Sequence, residues 1–293
     1  MASQQPPSRA IASFPVIQTC VASWTTMLSD LPMLIRMAAY PFVLSIALTL
    51  ASVSTLDQPL LNLLISIAAY IPMVLFAVAW HRRTLHDKAI ADSTSLTAWK
   101  RRHWRFFSST MMIIFLSFIT VFLISILTAA FLPLPLVLTL CVLGALYIAI
   151  RLCFIWPAAA VEEIEYDLKT SWQHTAGQSS RIFFAYILVN IPSLLLVFLN
   201  QALLMTFVVS TGSPDQDAAL SPFDMVAIAE SIHDNIPAFI GVSIVISALS
   251  YLPVAANFSL LSLIFRQTTG WVPEITQEQS ASQAENNPDH REE

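Results

Sequence analysis

Charge is what this chain has least of. Charged side chains make up 11% of its 293 residues, against about 25% in an ordinary soluble domain. Too little polar surface exists to coat a globule in water, so the solvent that fits is lipid. Glycine is scarce too, with five in the whole chain, which leaves little scope for helix crossings built on glycine-to-glycine approach. The three cysteines, Cys20, Cys141 and Cys153, stand far apart with no C-x-x-C pair. That spacing excludes a disulfide framework and a cysteine metal site. No P-loop, G-x-S-x-G, H-E-x-x-H or dinucleotide fingerprint occurs, and neither a catalytic set nor a cofactor is expected. The first fifteen residues, MASQQPPSRAIASFP, lack the apolar core of a cleaved signal peptide. The first crossing is therefore expected to direct insertion.

What the chain does have is long apolar runs: 56% of residues are hydrophobic and mean hydropathy is +0.68. Residues 37–56, 58–80, 106–150, 182–214 and 235–265 contain no Asp, Glu, Lys or Arg. One helical crossing of a bilayer takes roughly 20 residues. The third run is long enough for two crossings, and the FLPLP stretch at 131–135 splits it, because prolines do not fit a straight helix interior. The last two runs exceed one crossing and must tilt, kink or protrude. Six crossings follow.

Every Lys and Arg lies on one side of these crossings. The connections at 55–58, 130–135 and 211–235 hold none, although they contain Asp57, Asp215, Asp217, Asp224, Glu230 and Asp234. The positive-inside bias puts both termini in the cytoplasm. Residues 273–293 are polar, acidic and poor in large apolar side chains, the composition of a disordered cytoplasmic tail.

Three pairs of a small residue and tryptophan stand ahead of apolar hairpins: Ser23–Trp24, Ala98–Trp99 and Ser171–Trp172. Each belongs to a stretch with helical apolar spacing. The stripes are Ile17, Val21, Trp24 and Leu28; Leu96, Trp99 and His103; and Val161, Ile164, Leu168 and Trp172. Such helices suit a membrane surface, with tryptophan at headgroup depth. The expected fold is an all-α, polytopic membrane protein of six transmembrane helices. They form three hairpins, each preceded by a cytoplasmic amphipathic interfacial helix. The single domain spans 1–272, with units of about 12–80, 92–158 and 160–266. In the third unit SWQHTAGQSSRIF leads into the membrane, with Gly177 freeing the chain to turn. The longer outer connection there contains SPFDMVAIAESI, which reads as a short capped amphipathic helix.

Residues 146–188, LYIAIRLCFIWPAAAVEEIEYDLKTSWQHTAGQSSRIFFAYIL, carry a recurring bacterial pattern. It consists of Arg151, Pro157–Ala158, Val161–Glu162, Ser171–Trp172, Thr175, Gly177 and Arg181–Phe183, with AVAWHRRTL from Ala77 as a second point of likeness. This stretch resembles the membrane domain attached to some glycerophosphodiester phosphodiesterases, and the stand-alone multi-pass proteins related to it. The resemblance implies the inner membrane of a bacterium. It implies no phosphodiesterase activity, because nothing outside the crossings approaches the ~250 residues that a catalytic barrel takes.

Arg151 lies inside a crossing, where an arginine costs roughly 2.5–3.5 kcal/mol at mid-bilayer unless it is paired or snorkels to the surface. With Trp172 and Arg181 it is a candidate headgroup contact, as are Trp24 and Arg36. Arg82, Arg83, Lys88, Lys100, Arg101, Arg102 and Arg105, with Trp99 and Trp104, flank two crossings. Anionic lipid accounts for them better than nucleic acid. His81 and His86 are five apart and do not share a helix face, so no metal is expected there. Glu162, Glu163, Glu165 and Asp167 read as a solvated face, with Glu165 opposite Lys169, or with Glu162 reaching Arg151. Asn62, Asn190, Asn200, Gln201 and Asn257, together with Pro41, Pro72, Pro192 and Pro253, fit either helix packing or a solute pathway. Three activities stay open. The first is a non-enzymatic module that organises membrane lipids or a membrane-protein partner. The second is a small-solute transporter using the proline-broken helices. The third is an intramembrane enzyme built on Arg151 and Glu162.

Overall fold

The computed structural model describes residues 14–55, 57–86, 98–128, 130–162, 166–211 and 236–273. The expected outer-surface helix at 221–232, the tail beyond 273 and most of the expected second surface helix lie outside the described residues. So do Glu163 and Glu165.

All regular structure among the described residues is helical, with six helices long and apolar enough to cross a membrane. Prolines set their breaks. Helix α1 (Val16–Ser29) stops at Asp30, and α2 (Leu31–Ser54) begins there with a proline in its first turn. The second crossing is α3 (Pro59–Ala68) followed by α4 (Tyr70–Leu85). The break falls at Ala69, next to the carbonyl of Ala68 that the Pro72 ring would strike four residues on. Helix α5 (Arg101–Thr128) and α6 (Leu134–Leu152) meet at Pro133, with Pro135 in the first turn of α6. The fourth crossing then breaks again at Cys153–Phe154 and resumes as α7 (Ile155–Val161). Pro157 stands four residues after Cys153, the same relation as at Pro72. Helix α8 (Leu168–Thr175) is short, and α9 (Ser179–Thr211) and α10 (Ile236–Thr269) carry Pro192 and Pro253 without breaking.

Two surface stretches differ from the sequence expectation. Residues 98–100 are not helical, and α5 starts only at Arg101. In the third stretch Glu162 adopts φ 66°, a left-handed conformation that ends α7. Val161 and Trp172 therefore sit on different helices. Helix α1 forms over the first expected surface stretch. Its Ile17, Val21 and Leu28 are 72%, 61% and 58% exposed, while Thr19, Cys20, Ser23 and Met27 are buried. Small side chains let the backbone of α1 approach α9 and α10 closely, and the aliphatic stripe is left for lipid.

The long helices pack in order around a closed ring: α2 on α4, α4 on α5, α5 on α6, α6 on α9, α9 on α10, and α10 back on α2. Helix α4 also packs directly on α7 and α10 across the middle. In the most apolar stretch of each crossing, 44% of the second is buried but 6% of the third, so α4 is an inner helix and α5 an outer one.

Packing is concentrated at one end. Buried positions cluster at the starts of α2, α5 and α9 and at the ends of α4, α6–α7 and α10, whereas α3 has none. The largest buried side chains, among them Trp80, Phe76, Phe154 and Phe265, lie there. Lipid tails are as apolar as leucine, so dispersion and internal hydrogen bonds hold this end rather than expulsion of water. Trp80 Nε1 donates to Ser259 Oγ at 2.8 Å, and His81 Nδ1 pairs with Ser262 Oγ at 2.7 Å. The two serines are three residues apart and share a face of α10. Trp156 Nε1 donates to Thr110 Oγ1 at 3.0 Å. Asn190 and Asn257 exchange side-chain hydrogen bonds of 3.0 and 2.9 Å. Each amide also donates to its own helix, at Tyr186 O and Pro253 O, so both donors of each are used.

Gly144 sets the spacing of α5 and α6, since a Cβ there would stand 2.6 Å from Ile124 Cδ1 and 3.2 Å from Thr120 Cγ2. Gly144→Ala is expected to shift the Ile124 rotamer at little cost. Gly144→Leu is expected to part the helices and lose about 1–3 kcal/mol to overpacking. Thermal unfolding in detergent checks this, and an unchanged Tm for Gly144→Leu contradicts it.

Candidate functional site

The break between α6 and α7 leaves carbonyls at the end of α6 without their helical partners, and a buried one must be satisfied from elsewhere. Helix α8 does this. Ser171 Oγ and Thr175 Oγ1, one turn apart, donate to Arg151 O at 3.2 and 3.0 Å. The next residue after Ser171 is Trp172, and its ring is thereby laid over the Arg151 side chain, with Cζ 4.2 Å from the ring centroid. A cation over an indole gains about 0.5–1 kcal/mol when exposed and ~2 when desolvated. Tyr147, one turn back on α6, meets Trp172 edge-on at 5.9 Å. Gly177, at φ 76°, turns the chain from α8 into α9 and brings in Ser179. The Ser179 hydroxyl donates to Thr175 O at 2.9 Å and accepts from Arg151 Nη1 at 3.3 Å.

Arg151 is 7% exposed, and its Nε is buried without a hydrogen-bond partner among the described residues. The ion pairs among the described residues are elsewhere, Arg83–Asp30 at 2.8 Å and Arg102–Glu162 at 3.4 Å. Glu162 thus reaches Arg102 and not Arg151. Two grooves flank this corner. One, of about 290 Å³, runs between α6 and α9 and is lined by Leu143, Leu146, Tyr147, Ile150, Phe183 and the hydroxyls of Ser179 and Ser180. The other, of about 460 Å³, is lined by Leu116, Ile119, Ile148 and Leu152, with Lys169 and Trp172 at its rim.

The remaining candidates scatter around the packed end. Trp24 Nε1 donates to Val189 O at 3.1 Å, within the turn before Pro192. Trp99 lies beside His103 and Trp104, at 5.4 Å from each ring. Arg82 Nη1 reaches Ala160 O at 3.5 Å. Lys100, Arg101 and Arg181 are exposed and Arg105 is half-buried. Asn62 sits at the opposite end, where its amide caps α2 by donating to Ser52 O at 2.9 Å. The Asn200 side chain lies outside the described ones. A small cavity of about 120 Å³ near the Asn190–Asn257 pair is aliphatic apart from Ser193 and Ser250. Among the described residues no three His, Cys, Asp or Glu side chains come together to hold a metal. Sequence reading passed over Asp30, Tyr147, Ser179 and Ser262, although Ser259 and Ser262 at helical spacing on an apolar helix were a visible signal.

Comparison with protein-family models, with curated proteins and with solved structures gave no match to this chain in any of the three.

Two titratable features hold α8 in place. Asp167 caps it, accepting Thr170 N–H at 2.7 Å, and that bond keeps its carboxyl below the ordinary carboxylate value. His174 pairs with Tyr166 Oη at 3.1 Å, and burial lowers its pKa from the usual 6.5. A depressed imidazole pKa means that the fold holds the neutral ring. Its contribution is complete above 6.5 and is lost as pH falls below that value; the Asp167 contribution disappears only at still lower pH. The protection factors of α8 amides, with the intrinsic pH dependence of exchange divided out, are expected to fall between pH 7.5 and 5 in the natural protein and much less in His174→Gln. An equal fall in both contradicts the assignment.

Proposed function

We propose that this chain is a six-crossing protein of the bacterial inner membrane, with both termini cytoplasmic, that organises lipid or a membrane-protein partner without catalysis. The observation that carries the reading is the one-ended core. Every Lys and Arg among the described residues lies at the end where the helices are packed. Around that end Arg36, Lys100, Arg101, Lys169, Arg181 and Arg266 are exposed, with the rings of Trp104 and Trp172. Each cation near an anionic leaflet contributes ~1 kcal/mol of attraction, and exposed tryptophans suit headgroup depth. Three hairpin units fit the packing order, with each tryptophan-bearing segment leaning on the second crossing of the unit before it. Helix α1 packs on α10, Trp99 on the α4 cluster and α8 on α6. Kinship with the membrane domain attached to glycerophosphodiester phosphodiesterases belongs to this proposal for the membrane part alone.

A solute pathway has less support. The Asn190 and Asn257 amides are used up by each other and by their own helices, and the cavity beside them is aliphatic. An enzyme site has less still, because Arg151 and Glu162 take different partners. Native mass spectrometry of the full chain released from mild detergent tests the reading. Anionic phospholipid is expected to stay bound in preference to zwitterionic lipid. Release free of lipid and of any co-purifying protein contradicts it.

A further inference from the structure

Resting on that reading, we propose that the groove between α6 and α9 holds one acyl chain of an anionic phospholipid. Its phosphate lies against the Ser179 and Ser180 hydroxyls and the Arg151 guanidinium on which Trp172 stacks. Three observations converge. Arg151 is more than nine-tenths buried, yet no carboxylate among the described residues pairs with it. A buried cation without a counter-charge is strongly disfavoured, and the face of Trp172 offsets only part of that. Among the described residues the Arg151 Nε has no partner, and the guanidinium's one hydrogen bond runs to Ser179, a residue that itself lines the groove. The groove is aliphatic and aromatic, lined by Leu143, Leu146, Tyr147, Ile150 and Phe183 together with Ser179 and Ser180 of α9.

That combination, cation and hydroxyls beside a hydrocarbon slot, matches a phosphate ester with an attached chain. A free phosphate would leave the slot empty. An apolar protein helix would bring no anion to Arg151. The corner is also built to hold its shape, since Ser171 and Thr175 fix α8 to the Arg151 carbonyl whether or not the guanidinium is engaged.

The test uses the full chain in bilayers of phosphatidylcholine doped with brominated phosphatidylglycerol or brominated phosphatidylcholine. Quenching of Trp172 is read as the difference between the natural protein and Trp172→Phe. The natural protein is expected to show at least ten-fold preference for the glycerol lipid at Trp172. Arg151→Gln and Leu143→Phe, the second narrowing the half-exposed wall of the groove, are expected to bring that preference close to one. Arg151→Lys is expected to keep it within about three-fold, and Gln173→Ala on the exposed face of α8 to leave it unchanged. Preference that survives both Arg151→Gln and Leu143→Phe overturns the site while leaving the wider reading intact. Loss of the preference on adding millimolar inorganic phosphate also overturns it, in favour of a small-anion site. If no tryptophan of the natural protein prefers either lipid, the wider reading falls.

Discussion

A polar group taken below the surface of a bilayer has to find its partner within the protein, because hydrocarbon offers none. The packed end of this bundle is arranged around that requirement. Trp80 and His81 leave the membrane on α4, and Ser259 and Ser262 of α10 receive them. The two asparagines answer each other between α9 and α10. The indole of Trp24 reaches a backbone carbonyl of α9, near a proline that loosens the helix ladder. Helix α10 takes part in most of these bonds and touches α1, α2, α4 and α9, so it serves as the hub on which the ring closes.

The opposite end has no such demand, and it is correspondingly loose. It carries Leu60, Leu64, Phe131, Leu134, Leu195 and Phe198 largely exposed. In lipid such side chains lose nothing by facing outward. The asymmetry therefore follows from where the sequence puts its polar residues. It also gives the two ends different work: a fixed base at the charged face and an apolar periphery that lipid must complete.

The number of crossings, the split at residues 131–135, the break before Pro72 and the turn at Gly177 were legible in the sequence, because each follows from local chemistry. A run of twenty uncharged residues, a ring that removes an N–H, and a missing Cβ act on their immediate neighbours. Pro41, Pro192 and Pro253, by contrast, stand in unbroken helices, and the break before Pro157 was not foreseen. The contacts that make the candidate site were less so. Arg151 and Trp172 were each singled out, but their stacking depends on Ser171 and Thr175 finding a carbonyl that only the α6–α7 break exposes. Asp30 and Arg83 are 53 residues apart, and nothing in either segment names the other. The protein-facing side of α1 was not legible in its aliphatic stripe, for a physical reason. In water an aliphatic stripe marks the buried face, whereas in lipid the same stripe is content outside and the small residues mark the contact. The residues Thr19, Cys20 and Ser23 held that information and Ile17, Val21 and Leu28 did not.

The account stands on closure of the ring at its base, with the first helix clasped onto the last two. Cys20 Sγ lies 3.4 Å from the backbone oxygen of Ala185 on α9, so a single change, Ala185→Cys, sets up the most direct measurement. The full chain carrying that substitution and a protease site inserted between residues 90 and 91 would be oxidised in its membrane and then cut. The account predicts that the two fragments migrate together until a reductant is added. Fragments that separate at once, while the uncut protein is folded and monomeric, would contradict it.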